Sequence, residues 1–317
     1  MKILVATDGS EHSDAAVAEM ARRPFPSDTE VRVVSAFQGF APPAGVSMGA
    51  MGEFYAEADQ AARNLSQSAV ERAAKTLRAS NPAPQVTTAV IEGWPKQVIL
   101  DEAKAFGADL IVIGSHGYGM LERFRFGSVS QAMALHAKCS VEIVRSPKKG
   151  EVMRILLAID GSDHSHAAVA EIARQHFPAD SQVRVISVIE PLYLTTTYPG
   201  QGVSVSLYEE IEKTSRERAR AAVEKAAANL RADDGSRQLN VTTEVLSGSP
   251  KVVILDEAEA FGADLIVVGS HGHGMLERFL LGSVSQAVAL HAKCSVEIVR
   301  SPKTQTSEDI ALNKREA

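Results

Sequence analysis

Residues 2–26 read KILVATDGSEHSDAAVAEMARRPFP, and residues 154–178 read RILLAIDGSDHSHAAVAEIARQHFP. Each copy begins with a continuous apolar run (Ile3–Thr7 in the first), which suits a strand buried on both faces. Each then turns at Asp-Gly-Ser and enters a stretch with helical apolar spacing, at Ala15, Ala16, Val17 and Met20 in the first copy. A second block repeats as well: Pro95–Lys148 recurs as Pro250–Lys303 with 7 differences in 54 positions. A repeat period this long is a whole-domain duplication, not a solenoid. The domains are therefore expected at 1–148 and 152–303, and the short KKGEV linker requires them to pack close together. The tail 304–317 is polar, has no apolar face of any length, and is expected to be disordered.

Working outward from the opening strand and helix, the first copy alternates throughout. Strands are expected at Ile3–Thr7, Val31–Ala36, Val86–Ile91, Leu110–Ile113 and Val141–Val144. Helices are expected at His12–Arg22, Glu53–Ala79, Pro95–Phe106 and Ser128–Ala137, with Pro95 at a helix start and Asn81-Pro82 past a helix end. Residues 37–52, rich in Gly, Pro, Ala and Met, read as a long loop; whether Met48 and Met51 form a lid or a mobile segment stays open. The order is that of an α/β fold: two tandem, doubly wound, parallel five-stranded sheets ordered 3-2-1-4-5, in Rossmann-like or flavodoxin-like three-layer domains. Such sheets bind ligands at the carboxyl ends of the strands where the order reverses. Here that point lies between Asp8, ending the first strand, and Gly114, ending the fourth.

Composition narrows the function. The 317-residue chain is 45% hydrophobic and 23% charged, the balance of a soluble globular protein. It has no apolar run long enough for a membrane span. Two cysteines and no export signal point to the reducing cytoplasm. The net charge of −6, carried entirely by the second half, disfavours nucleic-acid binding.

After the fourth strand, glycines recur as Gly114-x2-Gly117-x9-Gly127-Ser128 and again as Gly269-x2-Gly272-x9-Gly282-Ser283. Glycine permits positive φ and lets a ligand approach the backbone. The following helix N-terminus carries unpaired N–H groups and partial positive charge, which suits a phosphate. Ser128 can cap that helix or turn its hydroxyl to the phosphate. The plainer alternative is a tight turn and a helix start. The dinucleotide fingerprint is absent, since Asp8-Gly9-Ser10 occupies its place, and there is no Walker lysine, so binding is favoured over fast hydrolysis.

At these residues the chain resembles the universal stress protein family, in its tandem two-domain form and ATP-binding branch. The resemblance implies ATP as the ligand, with Mg2+ held only through its phosphates. Asp8 would contact adenine or ribose, Ala36 would line the adenine pocket, and Gly114, Gly117, Gly127, Ser128 and Val129 would wrap ribose and phosphates. The matching second set is Asp160, Val188, Gly269, Gly272, Gly282, Ser283 and Val284. The resemblance further implies edge-to-edge pairing through the last strands, Val141–Val144 and Val296–Val299, as an internal pseudo-dimer, and it is compatible with a further homodimer. The implied function is a cytoplasmic stress-response protein whose nucleotide occupancy regulates conformation or binding of an unidentified protein partner. No catalytic residue and at most slow hydrolysis are expected. The alternatives are an ATP-dependent adenylating enzyme, of which TDGSEHSD (7–14) is a partial echo, and a nucleotide-free interaction module.

The copies differ at Trp94/Ser249, Tyr118/His273, Arg125/Leu280 and Phe126/Leu281. Arg125 lies in the glycine loop, where a guanidinium can meet a phosphate, so the first copy is expected to bind more tightly. Arg123 and Arg278, present in both loops, are further phosphate candidates. His116 and His271 are expected to hydrogen-bond backbone or ligand, with no nucleophile beside them. His164-x-His166 and His271-x-His273 make poor metal pairs, since no Cys or further His clusters with them. Cys139 and Cys294 read as small buried hydrophobes.

Overall fold

The computed structural model describes residues 1–26, 28–39, 48–80, 82–117, 126–145, 152–191, 205–232, 239–272 and 281–301. Arg123, Arg125, Arg278, Leu280, Tyr118, His273, most of the linker and the 304–317 tail lie outside them. The first half runs β1 (Lys2–Ala6), α1 (Glu11–Arg22), β2 (Glu30–Phe37), α2 (Met48–Arg78), β3 (Gln85–Glu92), α3 (Pro95–Phe106), β4 (Leu110–Gly114), α4 (Ser128–His136) and β5 (Ser140–Val144). The second half repeats it: β6 (Arg154–Ala158), α5 (Asp163–Arg174), β7 (Gln182–Ile189), α6 (Val205–Arg231), β8 (Asn240–Ser247), α7 (Pro250–Phe261), β9 (Leu265–Gly269), α8 (Ser283–His291) and β10 (Ser295–Val299).

Local chemistry explains the punctuation. Ser10 and Ser162 accept hydrogen bonds from the backbone N–H groups of Ser13 and Ser165, capping α1 and α5. Pro95 and Pro250 open α3 and α7, and Gly107 and Gly262 close them in the left-handed conformation, both at φ 68°. The long second helix starts at Met48, upstream of the expected Glu53, so residues 48–52 (MGAMG) extend the helix despite two glycines, against their local propensity for a loop. The side chains of Met48 and Met51 lie outside the description, so the lid reading does too.

Each half is parallel in the order β3-β2-β1-β4-β5 or its mirror. The two five-stranded sheets join edge to edge through their last strands, as the family resemblance implied: β5 pairs antiparallel with β10, giving one ten-stranded sheet ordered β3-β2-β1-β4-β5-β10-β9-β6-β7-β8. Strand alternation gives this seam two unlike faces. Val141, Ile143, Val296 and Ile298 join one apolar cluster that runs through both halves. The other face keeps two separate apolar cores.

Between those two cores the seam is polar. Glu142 and Glu297 lie opposite each other in the ladder, both wholly buried. Arg23, just past α1, grips Glu142 with two bonds, Nη1 to Oε2 at 2.8 Å and Nη2 to Oε1 at 2.6 Å. The equivalent residue in the second half is Gln175, whose Nε2 donates to Glu297 Oε1 at 2.8 Å. Glu297 Oε2 has no hydrogen-bond partner among the described residues.

Candidate functional site

The chain runs outward from β1 to β3 and then crosses back to β4, so β1 and β4 are neighbours whose carboxyl ends part to leave a crevice. Strands β6 and β9 do the same in the second half. Crevice one has a volume of about 380 Å³ and crevice two about 830 Å³. All seven candidate residues of each half line its crevice. Asp8 stands in the turn two residues past β1, and Ala36 is penultimate in β2. Gly114 ends β4, Gly117 follows in the loop, and Gly127, Ser128 and Val129 open α4. Asp160, Val188, Gly269, Gly272, Gly282, Ser283 and Val284 take the same places in the second half.

The signature glycines act by absence of a side chain, not by positive φ. Among the described residues, positive-φ glycines are Gly9, Gly93, Gly107, Gly161, Gly248 and Gly262, and none belongs to the motif. A Cβ on Gly114 would sit 2.7 Å from the backbone carbon and oxygen of His12, so this glycine lets β4 touch the start of α1. A Cβ on Gly117 would sit 2.5 Å from Asp8 Oδ2, so this one seats the loop against the carboxylate. Gly269 and Gly272 meet His164 and Asp160 in the same way, at 2.8 and 2.5 Å.

Two helix N-termini approach each crevice, and they differ in kind. Three N–H groups around the start of α1 are used internally. Gly9 N–H donates to Thr7 Oγ1 (3.1 Å), Ser10 N–H to Asp8 Oδ1 (3.0 Å), and Ser13 N–H to Ser10 Oγ (3.3 Å). The start of α4 has Gly127 as its N-cap, with no side-chain cap, and Ser128 is already the first helical residue, so Ser128 does not cap it. Gly282 and Ser283 repeat this at α8. The Ser130 hydroxyl is turned back to the Gly114 carbonyl at 2.8 Å, and that of Ser285 to Gly269 at 2.6 Å, which pins each helix start to its strand end. Val34, Ala36, Pro95, Ile99 and Ile113 make an apolar stretch of the wall in crevice one, beside Thr7, Ser13 and His116. An apolar slot, a carboxylate acceptor and an uncapped helix N-terminus thus stand together.

Sequence reasoning missed the histidine of α1. His12 and His116 have ring centroids 5.1 Å apart, as do His164 and His271. Burial lowers the His164 imidazole from its ordinary value, His271 adds to this, and Asp160 and Asp163 oppose it. Ser115 Oγ lies 3.1 Å from His116 Nδ1, but Ser115 is only 3% exposed, which makes it a structural partner and not an accessible nucleophile. Among the described residues, no three His, Cys, Asp or Glu side chains are grouped to hold a metal ion. Cys139 and Cys294 are half-buried and form no disulfide, and burial pushes the Cys139 thiol up to about 11, far from thiolate chemistry.

The crevices also differ. Crevice two gains a wall from α6, including Arg218 and Ser215. Aligning VERAAKTLR (70–78) with VEKAAANLR (223–231) puts Leu65 opposite Arg218. The expectation of tighter binding in the first half rested on Arg125, outside the described residues. Among the described ones, the additional cation stands at crevice two.

Residues 1–145 and 151–300 each match the Universal stress protein family. A universal stress protein of Mycolicibacterium smegmatis is 29% identical over 304 residues, covering 94% of this chain and 96% of that one. One from Methanocaldococcus jannaschii is 34% identical over 152 residues, covering 48% of this chain and 84% of its own. The crystal structure of a universal stress protein from Archaeoglobus fulgidus superposes with a TM-score of 0.60 at 19% identity, covering 94% of this chain and 98% of that one, a likeness of fold. Among the described residues, no helix is long and apolar enough to cross a membrane.

Proposed function

The chain belongs to the universal stress protein family, carrying two copies of its domain, and we propose that it is an ATP-binding member with one nucleotide in each crevice. The observation that carries this reading is the grouping of an apolar slot, the Asp8 or Asp160 carboxylate, and the uncapped start of α4 or α8. The slot suits a flat base. The carboxylate accepts from ribose hydroxyls or base N–H groups and repels phosphate. The uncapped N–H groups, with the helix dipole behind them, take the phosphates. Gly117 and Gly272, without a Cβ, keep the loop close against the Asp8 and Asp160 carboxylates that face the ligand. Mg2+ would be held through the phosphates, since no described side chains are grouped for it.

Binding without committed turnover is the better reading. The Gly9, Ser10 and Ser13 N–H groups are taken by Thr7, Asp8 and Ser10, which leaves the loop after β1 fewer donors for the anion cradle of an adenylating enzyme. Occupancy would then act through conformation or a protein partner.

The test is to purify the protein without added nucleotide, denature it, and identify what is released by mass spectrometry, with calorimetry against ATP and Mg2+ on the same sample. ATP or ADP at up to two per chain, falling to one in Asp8→Ala or Asp160→Ala, is the expected result. Trp94, the one tryptophan, is exposed next to Pro95 of crevice one, so its fluorescence reports that crevice alone. No binding at millimolar ATP would replace this reading with the interaction module.

A further inference from the structure

Two arginines cross the seam reciprocally. Arg145 follows β5 directly, and its guanidinium reaches into the second half. Nη1 donates to the Cys294 carbonyl at 3.2 Å, Nη2 donates to the Ala289 carbonyl, and the backbone N–H donates to Ser295 Oγ at 3.1 Å. Arg300 follows β10 and does the same to the first half. Nη1 donates to the Cys139 carbonyl at 3.3 Å, Nη2 to the Ala134 carbonyl at 2.6 Å, and the backbone N–H to Ser140 Oγ at 3.2 Å. Ala289 and Ala134 lie in the last turns of α8 and α4, where helix carbonyls lack intrahelical partners and the dipole is negative. Each guanidinium therefore completes the C-terminus of a helix whose N-terminus opens into the other half's crevice.

The roots of these arginines are tied to the near crevice. Val144, which precedes Arg145, accepts from Ser115 N–H at 2.9 Å, and the Ser115 carbonyl accepts from Gly127 N–H at 2.8 Å. Val299, Ser270 and Gly282 repeat this before Arg300, at 2.8 and 2.7 Å. A connected path thus runs from the crevice-one loop through Arg145 and along nine-residue α8, about 14 Å long, to the mouth of crevice two. Its mirror runs back through Arg300 and α4. Burial lowers the Arg145 guanidinium to about 10, so keeping it beneath the helix carries a desolvation cost that the two carbonyls offset.

We infer that Arg145 and Arg300 are positioning residues acting across the seam, Arg145 setting the phosphate-binding helix of crevice two and Arg300 that of crevice one, so that the two crevices are coupled. This inference rests on the nucleotide reading of the crevices. It runs against the simple assignment by sequence, in which Arg145 would serve the half that encodes it.

The test uses the full chain and ATP calorimetry with one crevice disabled at a time. In the Asp8→Ala background only crevice two binds, and there Arg145→Gln is expected to weaken ATP roughly five- to tenfold, the size of a lost helix-terminus cation and its hydrogen bonds. In the Asp160→Ala background the same change should weaken crevice one less than it weakens crevice two, since on its own half the guanidinium meets the Phe126 ring, 5.8 Å from its centroid, and not the helix end. Arg300→Gln should show the mirror pattern. Arg145→Lys keeps the charge but not the two-carbonyl grip, so it should restore part of the loss at crevice two, and it serves if Arg145→Gln fails to fold. Equal weakening of both crevices, or a larger effect on crevice one, overturns the inference while leaving ATP binding intact. Absence of ATP binding to the unmodified chain overturns the nucleotide reading and this inference with it.

Discussion

The two halves agree at their crevices and disagree at the seam. A Cβ on Gly114 or Gly269 would lie 2.7 or 2.8 Å from the backbone of the facing histidine, and the Asp–Gly, Ser–Gly and His–His contacts also recur in both. The seam, by contrast, sets one arginine and one glutamine against two buried glutamates. The lesson is one of symmetry. A crevice belongs to one half, so duplication copies it whole. The seam lies where the halves face each other, so each charge meets its own copy, and two opposed carboxylates cannot both be ionised in a dry site without two cations.

The largest effect should come from making the seam symmetric in the wrong direction. Arg23→Gln removes the cation from two facing buried glutamates and is expected to cost about 3–5 kcal/mol at neutral pH, as for other broken buried ion pairs. Urea unfolding measures it, and the cost should shrink in acid. A loss below about 1 kcal/mol would show that water, not Arg23, solvates Glu142.

Next comes the proton at Glu297. Burial, followed by Glu171 and Glu142, holds this carboxyl well above the usual carboxylate range, against Gln175 and Arg23, which pull the other way. The folded chain therefore keeps a proton that the unfolded chain, with an ordinary value of 4.5, has released. Stability should fall as pH rises from there towards the raised folded value, by up to about 1.4 kcal/mol per pH unit for one proton. Glu297→Gln should flatten that part of the urea-midpoint profile. The infrared band of a protonated carboxylic acid should be present in the parent and missing from this variant. Parallel profiles for the two proteins would assign the proton elsewhere.

The crevices provide the matched control. Gly114→Ala and Gly269→Ala each force a Cβ into helix backbone and should cost about 1–3 kcal/mol by thermal or urea unfolding. The two costs should agree within about 0.5 kcal/mol, because the surroundings are alike. Unequal costs would mean that the halves differ in rigidity and not only at the seam.

The smallest effect concerns Arg218, the cation that among the described residues distinguishes the crevice walls. Arg218→Leu, which copies Leu65, should weaken ATP at crevice two by about two- to fivefold with loss of salt sensitivity, since the side chain is exposed. Crevice one, followed through Trp94, should not change.

Much of this was readable along the chain. The alternation of buried strands with amphipathic helices, the serine caps and the prolines at helix starts are local signals, and they place the elements to within a few residues. The glycine spacing located the crevice, because strand ends and helix starts must meet there. Its physical reason was not readable: Gly114 is needed by His12, about a hundred residues away, and nothing near position 114 records that contact. His12 was missed, and His164 weighed only as a metal ligand, for the same reason: they enter the site from α1 and α5. Glu142 did leave a trace, an acidic residue within the apolar run SVEIV, present twice.

By itself, the sequence determined a duplicated α/β unit, the order of its elements and the loops that line its crevices, because periodicity and turn chemistry act over a few residues. The family resemblance already implied that the sheets join through their last strands; only the tertiary structure decided that Arg23 neutralises Glu142 and that each half holds the other's helix. Those outcomes depend on groups that share a dry interior yet lie 119 to 166 positions apart, where the cost of leaving a charge or carbonyl unpaired, and not local preference, selects the partner.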